Sequence, residues 1–547
     1  MDSFPNAETY GVKVSAMNET PLRDDPAILE LLYQPLALED AMNRVMKGHR
    51  DGAGESLGIP TDSMLPSFET HKCFANKLAQ VLDCERGGPT VTALTILQGG
   101  NNQPVYVIAS NQRSKEQLQN ARNFLKELLH FVHNNPVQLK PKPMLKKVLG
   151  MIIMFNIPRF QAYLVNLRKC LEACIVDCTA GVKSLIMLEH ELKQLQAKAS
   201  FPMTVGNGNE KDKCTCRGWD LRECAVVLGD CDTLLNAIRT NKGTGMDESI
   251  LQQTDATNAS NLEAWQELRH YLGRLHSYRQ AAEVILAAND RWPKLFQAFR
   301  VVAIPCSRKV PNPFVNRQLS AEAIVRNMLW DDEDPKHYLK QVRVLDRIGL
   351  SDEIRDIINR KTLQPVVHAE VQLHTALIQQ DIFRSSQFWN GYKYIGCSKP
   401  TCRLGGDGIQ VRPTHHNIYL PWRLPDVYRS QGRAQVRTHR QLLEQITERV
   451  RKDAKLILNE RQPSRRKHDS SDRSSIPSLL YPYIPDSASS LSDLMSDTTR
   501  PDVDASAAGS FVSQSFNHES VGQLVGDDDD EELVDIDEFE KLGFMDD

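Results

Sequence analysis

Apolar residues recur every three or four positions over most of the chain, which is the pattern of amphipathic helices. Between Ser114 and about Arg360 such segments follow one another with only Gly-, Asn- and Pro-rich breaks between them. No repeat period stands out, so a solenoid is not indicated. The predicted helices cover residues 26–46, 68–82, 114–132, 159–198 (one helix or a pair), 219–240, 261–300, 320–330, 335–347, 367–379 and 436–458.

The spacing changes to that of strands in two regions. From Pro89, the sequence PTVTALTILQGGNNQPVYVIASNQ has two β-rich runs around Gly99–Asn102, which predicts a β-hairpin. Beyond the helical block, residues 392–397 and 417–421 each predict a strand. From Pro463 the chain is rich in Ser, Asp and Pro and predicts disorder, although VDIDEFEKLGF near its end could fold against a partner.

Length and composition narrow the class of protein. With 547 residues, the chain has room for three or four domains of about 150 residues. The best candidate for a membrane span, residues 148–157, is too short to cross a bilayer and predicts a core element instead. The first residues lack the basic and apolar regions of a secretory signal. The protein is therefore expected in the cytoplasm or nucleus and not at a membrane, with its 12 Cys as reduced thiols or metal ligands.

The net charge of −4 conceals two oppositely charged regions. Residues 429–467 hold twelve Lys and Arg against four acids, whereas residues 527–547 hold twelve acids against one Lys. The simplest interpretation is a solvated helix face and a solubilising tail. The alternative is a surface that binds nucleic acid, for which the acidic tail competes. A steep salt dependence of nucleic-acid binding would favour the alternative.

The stretch richest in candidate chemistry is VVHAEVQLHTALIQQDIFRSSQFWNGYKYIGCSKPTCRL, residues 366–404. His368 and Glu370 stand at the predicted start of a helix, and Cys402 follows a predicted strand. A zinc hydrolase of nucleobases needs these residue types: an imidazole and thiolates as ligands, and a carboxylate that carries the proton without binding the metal. Residues two positions apart point away from each other inside a helix. His368 and Glu370 can therefore converge only if His368 precedes the first helical turn.

HAEVQL followed by YIGCSKPTCRL resembles the toxin-related clade of the cytidine deaminase-like superfamily, which is expanded in fungi. The resemblance extends over about 366–428, including VRPTHHNIYLPWRLPD, and the hairpin is similar to the first two strands of the deaminase fold. It implies that His368 and Cys402 bind zinc while Glu370 shuttles protons in the hydrolytic deamination of a nucleobase, in a nucleotide or a nucleic acid. Asn111, just after the second strand, is where such deaminases often place a residue that contacts substrate, although a turn Asn is the simpler explanation.

The implied fold class is α/β, with a cytidine deaminase-like three-layer core, a large all-α insertion and a disordered C-terminal tail. Because the hairpin comes before the HAE helix in this fold, the helical block has to be inserted between the second strand and that helix. The expected units are an N-terminal extension with one helix (1–65), the first part of the core (66–112), the helical insertion (113–360), the second part of the core (361–428), a charged helix (429–462) and a disordered acidic tail (463–547).

One position departs from the family pattern, which has a second cysteine three residues after the first. Here Gly405 occupies that position, and the Gly-rich GGDGIQVRP disfavours a helix. Three explanations stay open: a deletion between Leu404 and Gly405 (by splicing, by a gene-model error or as a true loss), Cys397 as the third ligand, or a rearranged site with other donors nearby. Those donors are His415, His416 and Asp407. As written, the zinc site lacks one ligand, which is expected to weaken zinc binding strongly.

Two other groups of cysteines have mainly structural interpretations. Cys170, Cys174 and Cys178 recur every four residues on one helix face, which is typical of buried small side chains. The second group lacks the paired spacing of a zinc ribbon or knuckle, so a metal site is less favoured there. That group consists of Cys214, Cys216, Cys224 and Cys231.

Two functions from different classes follow from the sequence. The first is a zinc-dependent deaminase of cytosine- or adenine-type bases, either active or degenerate because the second cysteine is missing. The second is a protein-interaction scaffold, in which the helical block is the working part and the deaminase core is an inactive remnant. Near-stoichiometric zinc that is lost in His368→Ala would favour the first. The sequence names no protein partner for the helical block.

Overall fold

A computed structural model gives the structure of most of the chain. The described residues are Leu22, 26–46, 65–180, 185–202, 221–242, 244–255, 261–314, 318–329, 334–360, 363–401, 409–412 and 419–461. The tail 463–547, for which the sequence predicts disorder, lies outside these residues.

A mixed sheet of five strands has the order β3-β2-β1-β4-β5. β1 is antiparallel to both of its neighbours, whereas β2 with β3 and β4 with β5 form parallel pairs. The predicted hairpin is confirmed, because β1 and β2 pair continuously from Thr92↔Ser110 to Gln98↔Pro104. The strands are β1 (Thr92–Gln98), β2 (Pro104–Ser110), β3 (Arg300–Ala303), β4 (Tyr394–Cys397) and β5 (Gln410–Val411).

Helices make up most of the described chain, so the protein is of the predicted α/β type with a large helical part. The segment 159–198, predicted as one helix or a pair, forms two helices. The helices are α1 (Pro26–Val45), α2 (Leu65–Leu82), α3 (Lys115–Asn134), α4 (Pro141–Phe155), α5 (Ile157–Ala180), α6 (Ile186–Ala199), α7 (Leu221–Asn241), α8 (Gly245–Asp255), α9 (Leu262–Arg291), α10 (Lys294–Gln297), α11 (Ala321–Met328), α12 (Pro335–Asp346), α13 (Leu350–Asn359), α14 (Ala369–Gln379) and α15 (Gly432–Glu460).

The sheet is covered by helices on both faces. Successive side chains of a strand point to opposite faces, and β1 follows this rule. Leu94 and Ile96 join the large core formed with α2 and the helices α3–α10. Ala93 and Leu97 face the other way and pack with Leu373 of α14. The hairpin and α14, which are distant in sequence, therefore share one side of the sheet.

A second apolar core lies outside the sheet. It joins α1 to α11, α12, α13 and α15, with Leu36, Ile324, Ile354 and Val450 among its fully buried side chains. The helices of the predicted insertion are thus divided between two cores: α3–α10 pack with the sheet, and α11–α13 pack with the N-terminal helix and the charged helix.

Residues 148–157, predicted as a core element, lie in α4 and the start of α5. Val148, Leu149 and Ile152 are almost completely buried in the large core. In the described residues no single helix is long and apolar enough to span a membrane. Taken together, α4 and α5 reach that length and apolar composition, but the two helices are bent by 91° relative to each other.

Two predicted elements are wrong. The helix predicted for 261–300 ends at Arg291, and Arg300 begins β3, which pairs in parallel with β2. Of the predicted strand 417–421, the last three residues, Tyr419–Pro421, are not in a strand, and the first two lie outside the described residues. The strand beside β4 is instead β5, within the Gly-rich GGDGIQVRP. Both errors concern short strands whose partners come from distant parts of the chain.

Gly396 in β4 marks a close approach between the sheet and α2. A Cβ at this position would lie 2.6 Å from the backbone carbon of Ala75 and 2.7 Å from its carbonyl oxygen. Because those atoms belong to the backbone of a buried helix, they cannot move aside cheaply. The glycine in YIGCSK is therefore required by packing.

We predict that Gly396→Ala lowers the free energy of unfolding by about 1–3 kcal/mol or more, because the added methyl group overpacks this contact. Denaturant unfolding followed by circular dichroism measures the change. Gly229→Ala is the matched control, since a Cβ there meets nothing within 4 Å in α7. The control is expected to be neutral or slightly stabilising. Equal stability of Gly396→Ala and the wild type would contradict the packing argument.

Candidate active site

His368 occupies the last non-helical position before α14. Its φ of −68° and ψ of 148° are extended, and the helix begins at Ala369. The sequence VV before it favours an extended backbone, because β-branched residues fit strands better than helices. As expected, His368 can therefore turn towards Glu370, and its Nδ1 lies 3.5 Å from the Glu370 Oε1.

The polypeptide just before His368 is held by a short parallel bridge between Val366 and Trp422. The Val366 amide donates to the Pro421 carbonyl (2.9 Å), and the Arg423 amide donates to the Val366 carbonyl (3.0 Å). The Tyr33 hydroxyl of α1 donates to the Trp422 carbonyl (2.7 Å) from the other side. The start of α14 is thus connected through this bridge to the second core.

Asn111, directly after β2, bonds to the start of α14. Its Oδ1 accepts a hydrogen bond from the Ala369 amide (2.7 Å), and its Nδ2 donates to the Gly88 carbonyl (3.0 Å). Amides in the first turn of a helix have no partner within the helix, so the Asn111 side chain acts as a cap supplied from another element. The residue predicted to contact substrate therefore lies beside His368 and Glu370, with its amide group engaged to backbone atoms.

Glu370 and Cys397 are buried neighbours that interact electrostatically. Glu370 is 6% exposed and Cys397 is 2% exposed. Burial raises the pKa of the Cys397 thiol well above its ordinary value, and the negative charge of Glu370 raises it further, while Arg412 acts in the opposite direction. Cys397 is thus held as a neutral thiol, whereas zinc binds cysteine as a thiolate.

The structure brings together four of the five predicted site residues: His368, Glu370, Asn111 and Cys397. The fifth, Cys402, lies outside the described residues, as do Gly405, Asp407, His415 and His416. No group of three or more His, Cys, Asp or Glu side chains in the described residues is arranged to hold a metal. Among the described residues of the site, the His368 imidazole is of the type that can bind zinc, and the Glu370 carboxylate lies beside it.

The other cysteines follow the structural interpretation where they are described. Cys170, Cys174 and Cys178 are almost fully buried on α5, as predicted. Their burial raises the pKa of each thiol, so these residues are neutral. Of the second group, Cys231 is completely buried in α7, whereas Cys214 and Cys216 lie outside the described residues.

A group of charged residues next to the site was not predicted from the sequence. Asp83, which follows α2, forms a buried ion pair with Arg159 of α5. Around this pair lie Arg274 of α9 and Lys399, both of which interact electrostatically with Asp83 and Arg159. Arg412 follows β5, acts on Arg274, and donates from Nη1 to the Cys397 carbonyl (2.9 Å). We call Arg159, Arg274, Lys399 and Arg412 the cationic cluster.

Burial and charge affect this group in opposite ways. Burial by itself raises the pKa of Asp83, but Arg159 and Lys399 outweigh it and hold that pKa below its ordinary value. Burial lowers the pKa of Arg274 and of Lys399, and Asp83 opposes the shift in both. One carboxylate therefore stabilises several cations that would otherwise be costly to bury.

Comparison with known proteins gives one match. Residues 367–426 match the model of the OTT_1508-like deaminase family. Searches of curated proteins and of solved structures each gave no match. The matched segment contains His368, Glu370 and Cys397, so the resemblance to deaminases noted in the sequence is supported for this part of the chain. Residues 367–426 are therefore deaminase-like.

We predict that Asn111→Ala destabilises the protein by about 0.5–2 kcal/mol, because the Ala369 amide loses its capping acceptor. Thermal and denaturant unfolding measure the effect. Asn123→Ala on α3 is the control, since its side chain bonds only at the exposed surface of one helix. Equal stabilities of the two variants would show that the bond between β2 and α14 contributes nothing.

A second prediction concerns Asp83→Asn, which removes the charge that stabilises buried Arg159. We expect a loss of about 3–5 kcal/mol near neutral pH. The folded-state pKa of Asp83 lies below its ordinary value. The stabilisation is therefore complete above the unfolded-state pKa of about 3.9 and is lost as the pH falls through the folded-state value.

Unfolding of wild type and Asp83→Asn across a pH series tests this prediction. The difference between the two proteins should shrink as the solution becomes strongly acidic. Asp352→Asn is the matched control, because its ion pair with Arg355 is exposed and contributes about 0.5 kcal/mol or less. A difference that does not change with pH would contradict the assignment.

Proposed function

We propose that the protein is a zinc-dependent deaminase of the toxin-related clade, acting on a cytosine- or adenine-type base. The observation that carries the proposal is the contact of 3.5 Å between His368 Nδ1 and Glu370 Oε1 at the capped, buried start of α14. This contact lies within the segment that matches a deaminase family. We also propose that the protein works in the cytoplasm or nucleus.

His368 and Cys402 are the proposed zinc ligands. The imidazole of His368 is 12% exposed, so it lies at the edge of the buried region and can be reached from solvent. When bound, zinc lowers the pKa of a coordinated water and so makes it a nucleophile near neutral pH. Cys397 is the weaker candidate for a further ligand, since deprotonating its thiol beside Glu370 is costly.

Glu370 is the proposed proton carrier. Hydrolytic deamination adds water across the C=N bond of the amidine in the base, with the oxygen joined to the carbon. The bond from that carbon to the exocyclic nitrogen then breaks, and ammonia is released. Glu370 would take a proton from the attacking water and return it to the departing nitrogen, so the residue is unchanged at the end. Its location in a nearly dry position beside His368 supports this assignment.

Asn111 has a positioning role in this proposal. By accepting from the Ala369 amide, it fixes the residue between His368 and Glu370. These bonds use one of the two donor hydrogens and one of the two acceptor lone pairs of the Asn111 amide. The observed hydrogen bonds support the positioning role.

The missing second cysteine bears on activity. In the deaminase pattern, the position three residues after Cys402 carries a ligand, and here it is Gly405. A chain with the deletion is proposed to bind zinc weakly and to be a degenerate deaminase. The scaffold alternative is less well supported, because α3–α10 pack on the sheet.

The experiment is a titration of zinc into the purified full-length protein. We predict that wild type binds zinc weakly and that His368→Ala lowers the affinity at least about tenfold, because one of few ligands is lost. The matched control is His190→Ala, which changes an exposed imidazole on α6 and should keep the wild-type affinity. Well-folded wild type that binds no zinc would overturn the proposal.

Two further variants sharpen the result. Gly405→Cys restores a cysteine where the family pattern has one, and it should raise zinc affinity and deaminase activity. Glu370→Gln should keep the zinc of its parent protein but release no ammonia from cytosine- or adenine-containing nucleosides and nucleotides. Ammonia release by Glu370→Gln at the parent rate would show that Glu370 is not the proton carrier.

A further inference from the structure

The charges of the cationic cluster are not balanced. Arg159, Arg274 and Lys399 carry three positive charges, and among the described residues Asp83 is the carboxylate that acts on all three, which leaves a net charge of +2 for these four groups. Arg412, which bonds to the Cys397 carbonyl, is left out of this balance. A half-buried excess of positive charge is unfavourable unless an anion accompanies it.

Arg274 faces the same region as Arg159. Tyr271, Arg274 and Tyr278 lie at helical spacing on one face of α9. Tyr271 contacts Tyr163, with ring centroids 6.2 Å apart, and Tyr278 contacts Phe160, with centroids 5.6 Å apart. Since both flanking tyrosines touch α5, Arg274 between them is directed towards the part of α5 that begins with Arg159.

Arg159 is engaged in contacts within the protein, whereas Arg274 and Lys399 are available to bind an anion. Arg159 forms the ion pair with Asp83, and its Nε donates to the Tyr163 hydroxyl (2.7 Å). The Nε of Arg274 is completely buried and has no hydrogen-bond partner among the described residues. For Lys399, no ion pair to a described carboxylate is present. Both residues are mostly buried but keep a minor exposed fraction, through which an anion can reach them from solvent.

The cluster is adjacent to the candidate active site. Lys399 lies two residues after Cys397 in the same chain segment. Arg412 connects the two groups, since it bonds to the Cys397 carbonyl and also acts on Arg274. Glu370 in turn is the carboxylate that acts on Cys397. An anion held by Arg274 and Lys399 would therefore lie next to the candidate active site that contains Cys397 and Glu370.

We propose that Arg274 and Lys399 bind the phosphate of a phosphomonoester, so that the substrate is a 5′-nucleotide rather than a free base or nucleoside. The binding site rests on its own contacts, while the identification of the phosphate as part of the substrate rests on the proposed function. The guanidinium of Arg274 presents a planar set of donors suited to phosphate oxygens, and Lys399 adds a compact charge.

The size of the excess charge favours a terminal phosphate. A phosphomonoester carries between about −1.5 and −2 near neutral pH, whereas each phosphodiester of a nucleic acid carries −1. A largely buried group of charges with a net charge of +2 is neutralised better by the monoester. The alternative source of the same chemistry, a phosphate within a nucleic-acid strand, is one outcome of the test.

The proposal is tested by calorimetric titration of the full-length protein with inorganic phosphate at fixed ionic strength. We expect binding that Arg274→Gln weakens about 10- to 100-fold, because a hydrogen-bonded charge is removed. Lys399→Gln is the second variant, and Arg274→Lys should have an intermediate affinity. The controls Arg347→Gln and Lys340→Gln change exposed cations on the surface. Equal phosphate affinity in wild type, Arg274→Gln and Lys399→Gln would overturn the proposal.

Competition identifies the source of the phosphate. Cytidine 5′-monophosphate should displace inorganic phosphate, whereas cytidine should not. A short single-stranded oligonucleotide should compete only when its 5′ end is phosphorylated. Strong competition by the unphosphorylated oligonucleotide, weakened by Arg274→Gln, would overturn the monoester assignment in favour of a strand backbone.

Two readouts separate this inference from the proposed function. His368→Ala should lose zinc and keep its affinity for phosphate, while Arg274→Gln should keep zinc and lose phosphate. If wild type binds phosphate but no zinc, the phosphate site stands and the deaminase proposal fails. If wild type binds zinc but no phosphate, the reverse holds.

Discussion

The hydrogen bond between the Asn111 side chain and the Ala369 amide is the contact on which the arrangement of the site depends. It joins residues 258 positions apart in the sequence, across the whole helical block. Apolar side chains such as Ala93, Leu97 and Leu373 pack the hairpin against α14, and this bond adds a directed contact between the end of β2 and the first turn of the helix. The bond places the residue between His368 and Glu370, so it fixes their orientation relative to the sheet. Long segments are tolerated between such fixed ends because the entropy of loop closure grows slowly with length.

The helical block is part of the candidate site as well as part of the core. Helices α5 and α9 bring Arg159 and Arg274 to the end of β4, where Lys399 follows Cys397. Asp83 connects these elements because it is the carboxylate that acts on several of the cations. An inserted segment that supplies charges to the neighbourhood of Glu370 affects which ligands can bind there. This arrangement argues against treating the helices and the deaminase-like domain as independent units.

The buried pair Glu370 and Cys397 shows how environment determines chemistry. A cysteine thiol in a dry position beside a carboxylate is stabilised in its neutral form. The same dry position is suitable for a proton carrier, because charges and dipoles are screened less there than in water. One environment thus favours Glu370 for proton transfer and disfavours Cys397 as a thiolate. Both groups are charged only when deprotonated, so the difference follows from the ordinary pKa of a carboxyl, which is about four units below that of a thiol.

The sequence alone determined the features that depend on local pattern. Helical spacing located most of the helices, although not α4, α8 and α13. The two β-rich runs located the hairpin, and the HAE motif located the start of α14 with His368 outside the first turn. Local information could not find β3 or β5, because each consists of a few residues whose hydrogen bonds come from strands far away in the chain. Tertiary structure alone decided that Asn111 caps α14, that Cys397 is buried beside Glu370, and that Asp83, Arg159, Arg274 and Lys399 meet. Long-range contacts and burial set these properties, and neither is encoded in the spacing of residues along the chain.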